Sequence, residues 1–151
     1  MNFATVRRIV TGYNPQGKAV IAMDGAPPQS IELKAVPGTV FHEIWNTNAC
    51  PAPIDNAADP TLRPLQLHPT PQGSIIRVVD IPPDAVQNQL SAADIAAGFA
   101  QIGASGAATQ TSGAPHKLMH RTAADKHVPL PADGNAAASD PENSARVCSG
   151  R

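Results

Sequence analysis

Residues 123–151 set the strongest limit on what this chain can fold into. The stretch holds no aromatic residue, and its only sizeable apolar side chains are Val128, Leu130 and Val147. The remainder is Ala, Asp, Asn, Ser, Gly, Pro and scattered charge. Such a segment cannot bury enough apolar surface to offset the entropy of ordering it. It is expected to be a disordered tail, so the fold must be built from residues 1–122 as one partial domain. Aromatics are only 3% of the chain, Pro reaches 16 residues, and much of the apolar content is Ala, which adds little core volume. The core is expected to be modest and to rest on Val, Ile, Leu, the three Phe and Trp45.

Charge excludes one class of partner. The net charge is −1 at pH 7, and the densest basic pair is Arg7-Arg8. Nucleic-acid binding needs clustered Lys and Arg to neutralise phosphates, and two adjacent arginines make no patch. No apolar run approaches the ~20 residues of a membrane-spanning helix. The run after Arg7-Arg8 ends at Gly12-Tyr13, too early for a signal h-region. Cys50 and Cys148 offer no CxxC knuckle, and read as two unrelated thiols in a reducing compartment. A cytoplasmic location is expected.

The ordered part reads as strands. ATVRRIVTG (4–12) and KAVIAMDG (18–25), joined through Pro15 and Gly17, form a β-hairpin signal. Alternation puts Arg7 and Arg8 on opposite faces, which suits an edge hairpin or arm whose strand 4–12 is left unpaired. SIELK (30–34) is a short strand. In 39–48, Val40, His42, Ile44 and Asn46 alternate with Phe41, Glu43, Trp45 and Thr47, and both faces carry large apolar groups. That pattern predicts a strand at least partly buried on both sides. Residues 49–72 hold too much Pro for a regular element and read as a functional, wrapping or mobile loop. Ile75 to Ile81 is the strongest strand, ended by Pro82-Pro83. Replacing the inward-facing one of Ile76 and Val78 by Ala is expected to cost ~1 to 3 kcal/mol. Ser91 with Asp94 three residues on is a capping pattern, and Ile95, Phe99 and Ile102 form one stripe of a helix over 92–102. Gly103 to Gly113 reads as a linker or mobile loop.

Few residues offer chemistry. His42 and Glu43 are adjacent on a strand and point to opposite faces, so a structural role is expected for His42. His68 reads as a solvated loop residue, and His127 has no partner at ligand spacing. His116 and His120 stand at i and i+4, a spacing that places two metal ligands on one helical face. Pro115 and the surrounding β character argue against a helix there, and HKLMH lacks the glutamate of HExxH. Asp80 and Asp84 flank Pro82-Pro83 and read as turn acceptors rather than an acid–base pair. No Gly-rich phosphate loop and no G-x-S-x-G is present. No catalytic or substrate-binding residue is assigned on this basis.

Taken together, RRIVTGYNPQGKAVIAMDG, FHEIWNTN, PQGSIIRVVDIPPD and a closing MHRT resemble small stand-alone cupin-domain proteins over residues 5–122. The resemblance implies an N-terminal strand arm and a partial β-jelly roll with one short helix. In that family the MHRT box leads into a Thr-x-Asp-Tyr strand, a Gly-Glu turn and a later histidine. Here Thr122 is followed by AADKHVPLPADG, as a shifted reading frame or an early stop would produce, so most of the barrel is expected to be missing. His120 matches the first ligand position of metal-binding members, and Thr122 stands where the second His would be. One ligand does not hold a transition metal. The chain is therefore expected to hold no cofactor, a divalent metal belonging to intact relatives.

The expected function is that of a cupin-family protein without catalysis, its intact relatives having a small-molecule pocket. The alternative is a metal-dependent isomerase, dioxygenase-like enzyme or dehydratase, with His120 and then His116 as the candidate ligands. A homodimer through the N-terminal hairpin is the expected partner state, with a small molecule as a further ligand.

Overall fold

The computed structural model describes residues 5–107 and 116–120. The tail 123–151, Thr122, Phe3, His127 and Cys148 lie outside the described residues, as does most of the second half of the Gly103–Gly113 stretch. Two antiparallel sheets and two short helices make a mainly β fold. A two-stranded ribbon pairs β1 (Arg8–Tyr13) with β2 (Ala19–Gly25), and a three-stranded sheet runs in the order β3 (Ser30–Glu32), β4 (Val40–Thr47), β5 (Ser74–Asp80). The helices are α1 (Asp84–Gln87) and α2 (Ala92–Gln101).

Turn chemistry sets both hairpins. The Asn14 side chain accepts from the backbone of Gln16 and Lys18, and Gly17 takes the left-handed φ of 72° that closes the β1–β2 loop. Gly38, at φ 86°, turns β3 into β4. The ribbon's pairing shifts register between Val10 and Thr11.

The core lies on one face of the three-stranded sheet. Ile31, Phe41 and Val79 face α2, whose Ile95 and Phe99 join Ile102, Leu33, Val36, Leu65 and Leu67 in one cluster. Ser91 caps α2 with a reciprocal capping box to Asp94, as the sequence implied. Its other end closes with Gly103 at φ 65°, where Ala104 N–H returns to the Phe99 carbonyl and Gly103 N–H to Ala100.

Three expectations are corrected, and of the readings offered for 49–72 the wrapping one fits. Residues 103–107 are no free linker: Ala104 and Ala107 are 5% and 6% exposed and belong to the core, because the chain turns back under the end of α2 through the Ala104 N–H to Phe99 carbonyl bond. The Pro-rich segment 49–72 packs, delivering Leu65, Leu67, Asp59 and Thr61 to the interior. Simple alternation along β4 fails at Ile44, where a bulge against β5 puts one extra residue in the strand. Beyond it Trp45 shares the face of His42, and Asn46 returns to that of Glu43, where it is 4% exposed. On β5 the core-facing residue is Val79, and Ile76 is 59% exposed.

Candidate functional site

Arg8 is the deepest charged group of the ribbon. Its guanidinium forms a bidentate pair with Asp59 and also donates to the Ile44 carbonyl (3.2 Å) and the Thr61 hydroxyl (3.3 Å). Both charged side chains are nearly solvent-free, 3% and 4% exposed. The arginine holds the Asp59 carboxyl down to about 2, assisted by two hydrogen bonds from Thr61. Farther along β1, the Asn56 side-chain amide acts as a one-residue strand. It accepts from Tyr13 N–H at 3.0 Å and donates to the Tyr13 carbonyl at 2.7 Å. The connector therefore covers the outer edge of β1 at Tyr13. Among the described residues no strand pairs with the far edge of β2, which is exposed at all seven residues. Ile9, Tyr13, Val20, Ile21 and Met23 are all exposed. Arg7 lies on the surface and is neutralised by Asp24 through two 2.7 Å bonds, which hold the Asp24 carboxyl below its usual range.

A second charged cluster lies beyond Phe41 on the core side of the sheet. Glu43 is paired with Arg77 at 2.9 Å, out of hydrogen-bond alignment, and with Arg63 at 3.4 Å. Burial pushes the Glu43 carboxyl up, and the two arginines oppose that shift. Arg77 stands 5.5 Å over the Phe41 ring, and Arg63 reaches Asn46. A small cleft beside Arg63 is lined by Asn46, Gln66, His68 and Thr70.

The i, i+4 spacing of His116 and His120 does not correspond to a helix: 117–118 form a turn and 120 sits in an isolated bridge. His116 Nδ1 accepts from Leu118 N–H, and its Nε2 lies 3.7 Å from Asp84. His120 Nδ1 donates to the Leu118 carbonyl, and its ring packs on Phe99 at 5.4 Å. Among the described residues no three His, Cys, Asp or Glu side chains converge as a metal site.

The sequence reading missed a polar row across the three-stranded sheet. Register puts Ser30 opposite His42 and brings Asp80 onto the same face. Ser30 Oγ is 2.9 Å from His42 Nδ1, and His42 Nε2 is 3.1 Å from Asp80 Oδ2. His42 is buried, Asp80 half-buried and Ser30 exposed. These residues lie 12 and 38 positions apart, so only the pairing of three strands could reveal them together.

No protein-family model matches the sequence, and no curated protein matches it. No helix among the described residues is long and apolar enough to cross a membrane.

Proposed function

We propose that this chain is a cupin-type assembly module that acts as a homodimer through its N-terminal ribbon and uses no metal. The observation that carries the reading is β2: seven exposed residues, Ala19–Gly25, at the ribbon's open edge. Its AVIAM core has no charge, proline or buried cover, and of the devices by which solitary edge strands avoid pairing it carries one, the bulge at Ala22. The Arg8–Asp59 pair and the Asn56 clamp hold the ribbon against the connector, so the open edge is presented as a pre-ordered strand. A second copy satisfies this edge by antiparallel β2–β2 pairing about a twofold axis, which also covers Ile21 and Met23. The cupin assignment is supported by the order of the four sequence segments and by the strand content. A small-molecule site and a cytoplasmic location belong to the same proposal.

Light scattering of the full chain tests the assembly. The wild type is expected to be a dimer at about 100 μM, and Ile21→Lys, at an exposed position of β2, a folded monomer by circular dichroism. A monomeric wild type at that concentration overturns the proposal.

A further inference from the structure

We propose that Ser30, His42 and Asp80 form a nucleophilic relay that makes Ser30 an acyl-accepting serine at the edge of the three-stranded sheet. This activity is separate from dimerisation and needs no metal.

With the imidazole neutral, as a general base must be, the hydrogen-bond inventory sets the direction of the relay. An ionised carboxylate only accepts, so the 3.1 Å contact to Asp80 requires the proton of neutral His42 on Nε2. Nδ1 then carries the lone pair and can only accept. Ser30 must donate its single hydroxyl proton there, at 2.9 Å, in preference to the Pro27 carbonyl at 3.4 Å. One tautomer satisfies all three groups, with the hydroxyl, imidazole and carboxylate in the roles of nucleophile, base and orienting acid. The burial gradient matches those roles. His42 is buried with its ring held from both sides, whereas Ser30 is exposed to an incoming molecule. Ser30 and His42 face each other as a pair that exchanges no backbone bonds, since the ladder bonds run from Glu43 N to the Gln29 carbonyl and from Leu33 N to Thr39. In such pairs side chains come closest. The same parity turns the backbone N–H of Ser30 away from β4, off the sheet edge, where it can donate to a developing oxyanion.

In the acylation step, Ser30 Oγ bonds to an ester carbonyl carbon while its proton passes to His42 Nδ1. The ester C–O bond then breaks, and the alcohol leaves with that proton. Water, activated by the same nitrogen, attacks the acyl-serine, releases the carboxylic acid and restores the hydroxyl. Glu32 lies two residues from Ser30 on the same face of β3, so its carboxylate disfavours anionic acyl groups. The substrate class is a small neutral carboxylic ester. Ser30 and His42 are the catalytic residues, and Asp80 is a positioning residue.

The test uses the full chain, a fluorophosphonate probe and peptide mapping by mass spectrometry. The probe is expected to attach to Ser30, with fluoride leaving. His42→Gln is expected to lower the labelling rate at least ~100-fold. Ser30→Ala, at an exposed edge position, is expected to abolish labelling with the fold intact by circular dichroism. Asp80→Asn is expected to slow labelling and to change the pH profile of the labelling rate with the fold intact by circular dichroism, which a merely structural carboxylate would not do. Absence of a Ser30 adduct on folded wild-type protein overturns the proposal. So does Ser30 labelling whose rate is unchanged in both His42→Gln and Asp80→Asn.

Discussion

Replacing Asp59 by Asn would leave the Arg8 charge buried without its counter-ion. The amide has the size of the carboxylate, so the change is one of charge and not of packing. Removing one partner of a buried pair typically costs ~3 to 5 kcal/mol, because the surviving charge stays desolvated. A second figure, of the same order, follows from the carboxyl itself. It titrates at about 2 in the fold, against an ordinary value near 3.9, and that gap corresponds to about 2 to 3 kcal/mol. Because the folded value is depressed, this stability is present in full above about pH 4 and is lost as pH falls toward about 2. Glu43 works in the opposite sense: burial raises its carboxyl, so its charge opposes folding at neutral pH and the opposition is relieved by acid. It is common to both proteins and cancels in their difference. Urea unfolding of wild type and Asp59→Asn should therefore differ by ~3 kcal/mol or more at about pH 6, and the gap should narrow by ~2 kcal/mol near pH 2. A gap under ~1 kcal/mol at about pH 6, or one that does not narrow in acid, would refute the reasoning.

Phe99 is 7% exposed and joins α2 to the sheet and to His120, so Phe99→Ala should lower stability by ~3 to 5 kcal/mol in denaturant unfolding. On β5, Val79→Ala should cost ~1 to 2 kcal/mol, whereas Ile76→Ala on the outer face should stay within ~0.5 kcal/mol in the same assay.

Local elements were legible where a residue's chemistry acts on its near neighbours. Pro15 and Gly17 announced the hairpin, Pro82-Pro83 marked the end of β5, and Ser91 with Asp94 marked the start of α2. The four-residue α1 was missed, since it begins after Pro83 with no side-chain cap. The site was less legible. His116 and His120 drew attention through a spacing that has meaning only on a helix, and their backbone is a turn. His42 was rightly read as sharing no ligand face with Glu43, but its partners Ser30 and Asp80 come from other strands.

By itself, the sequence determined the mainly β character, the hairpin and the capped helix, because these depend on turn conformers, capping atoms and alternation within a few residues. Tertiary structure alone decided the rest. The bulge at Ile44 reversed the facing of Trp45 and Asn46. Arg8 found its carboxylate 51 residues away, which turned a surface-seeming basic pair into one buried anchor and one exposed ion pair. Two strand registers aligned a hydroxyl, an imidazole and a carboxylate into one chain of hydrogen bonds. Each of these depends on which distant backbone lies alongside, and that is set by the whole core settling at once rather than by any local run of residues.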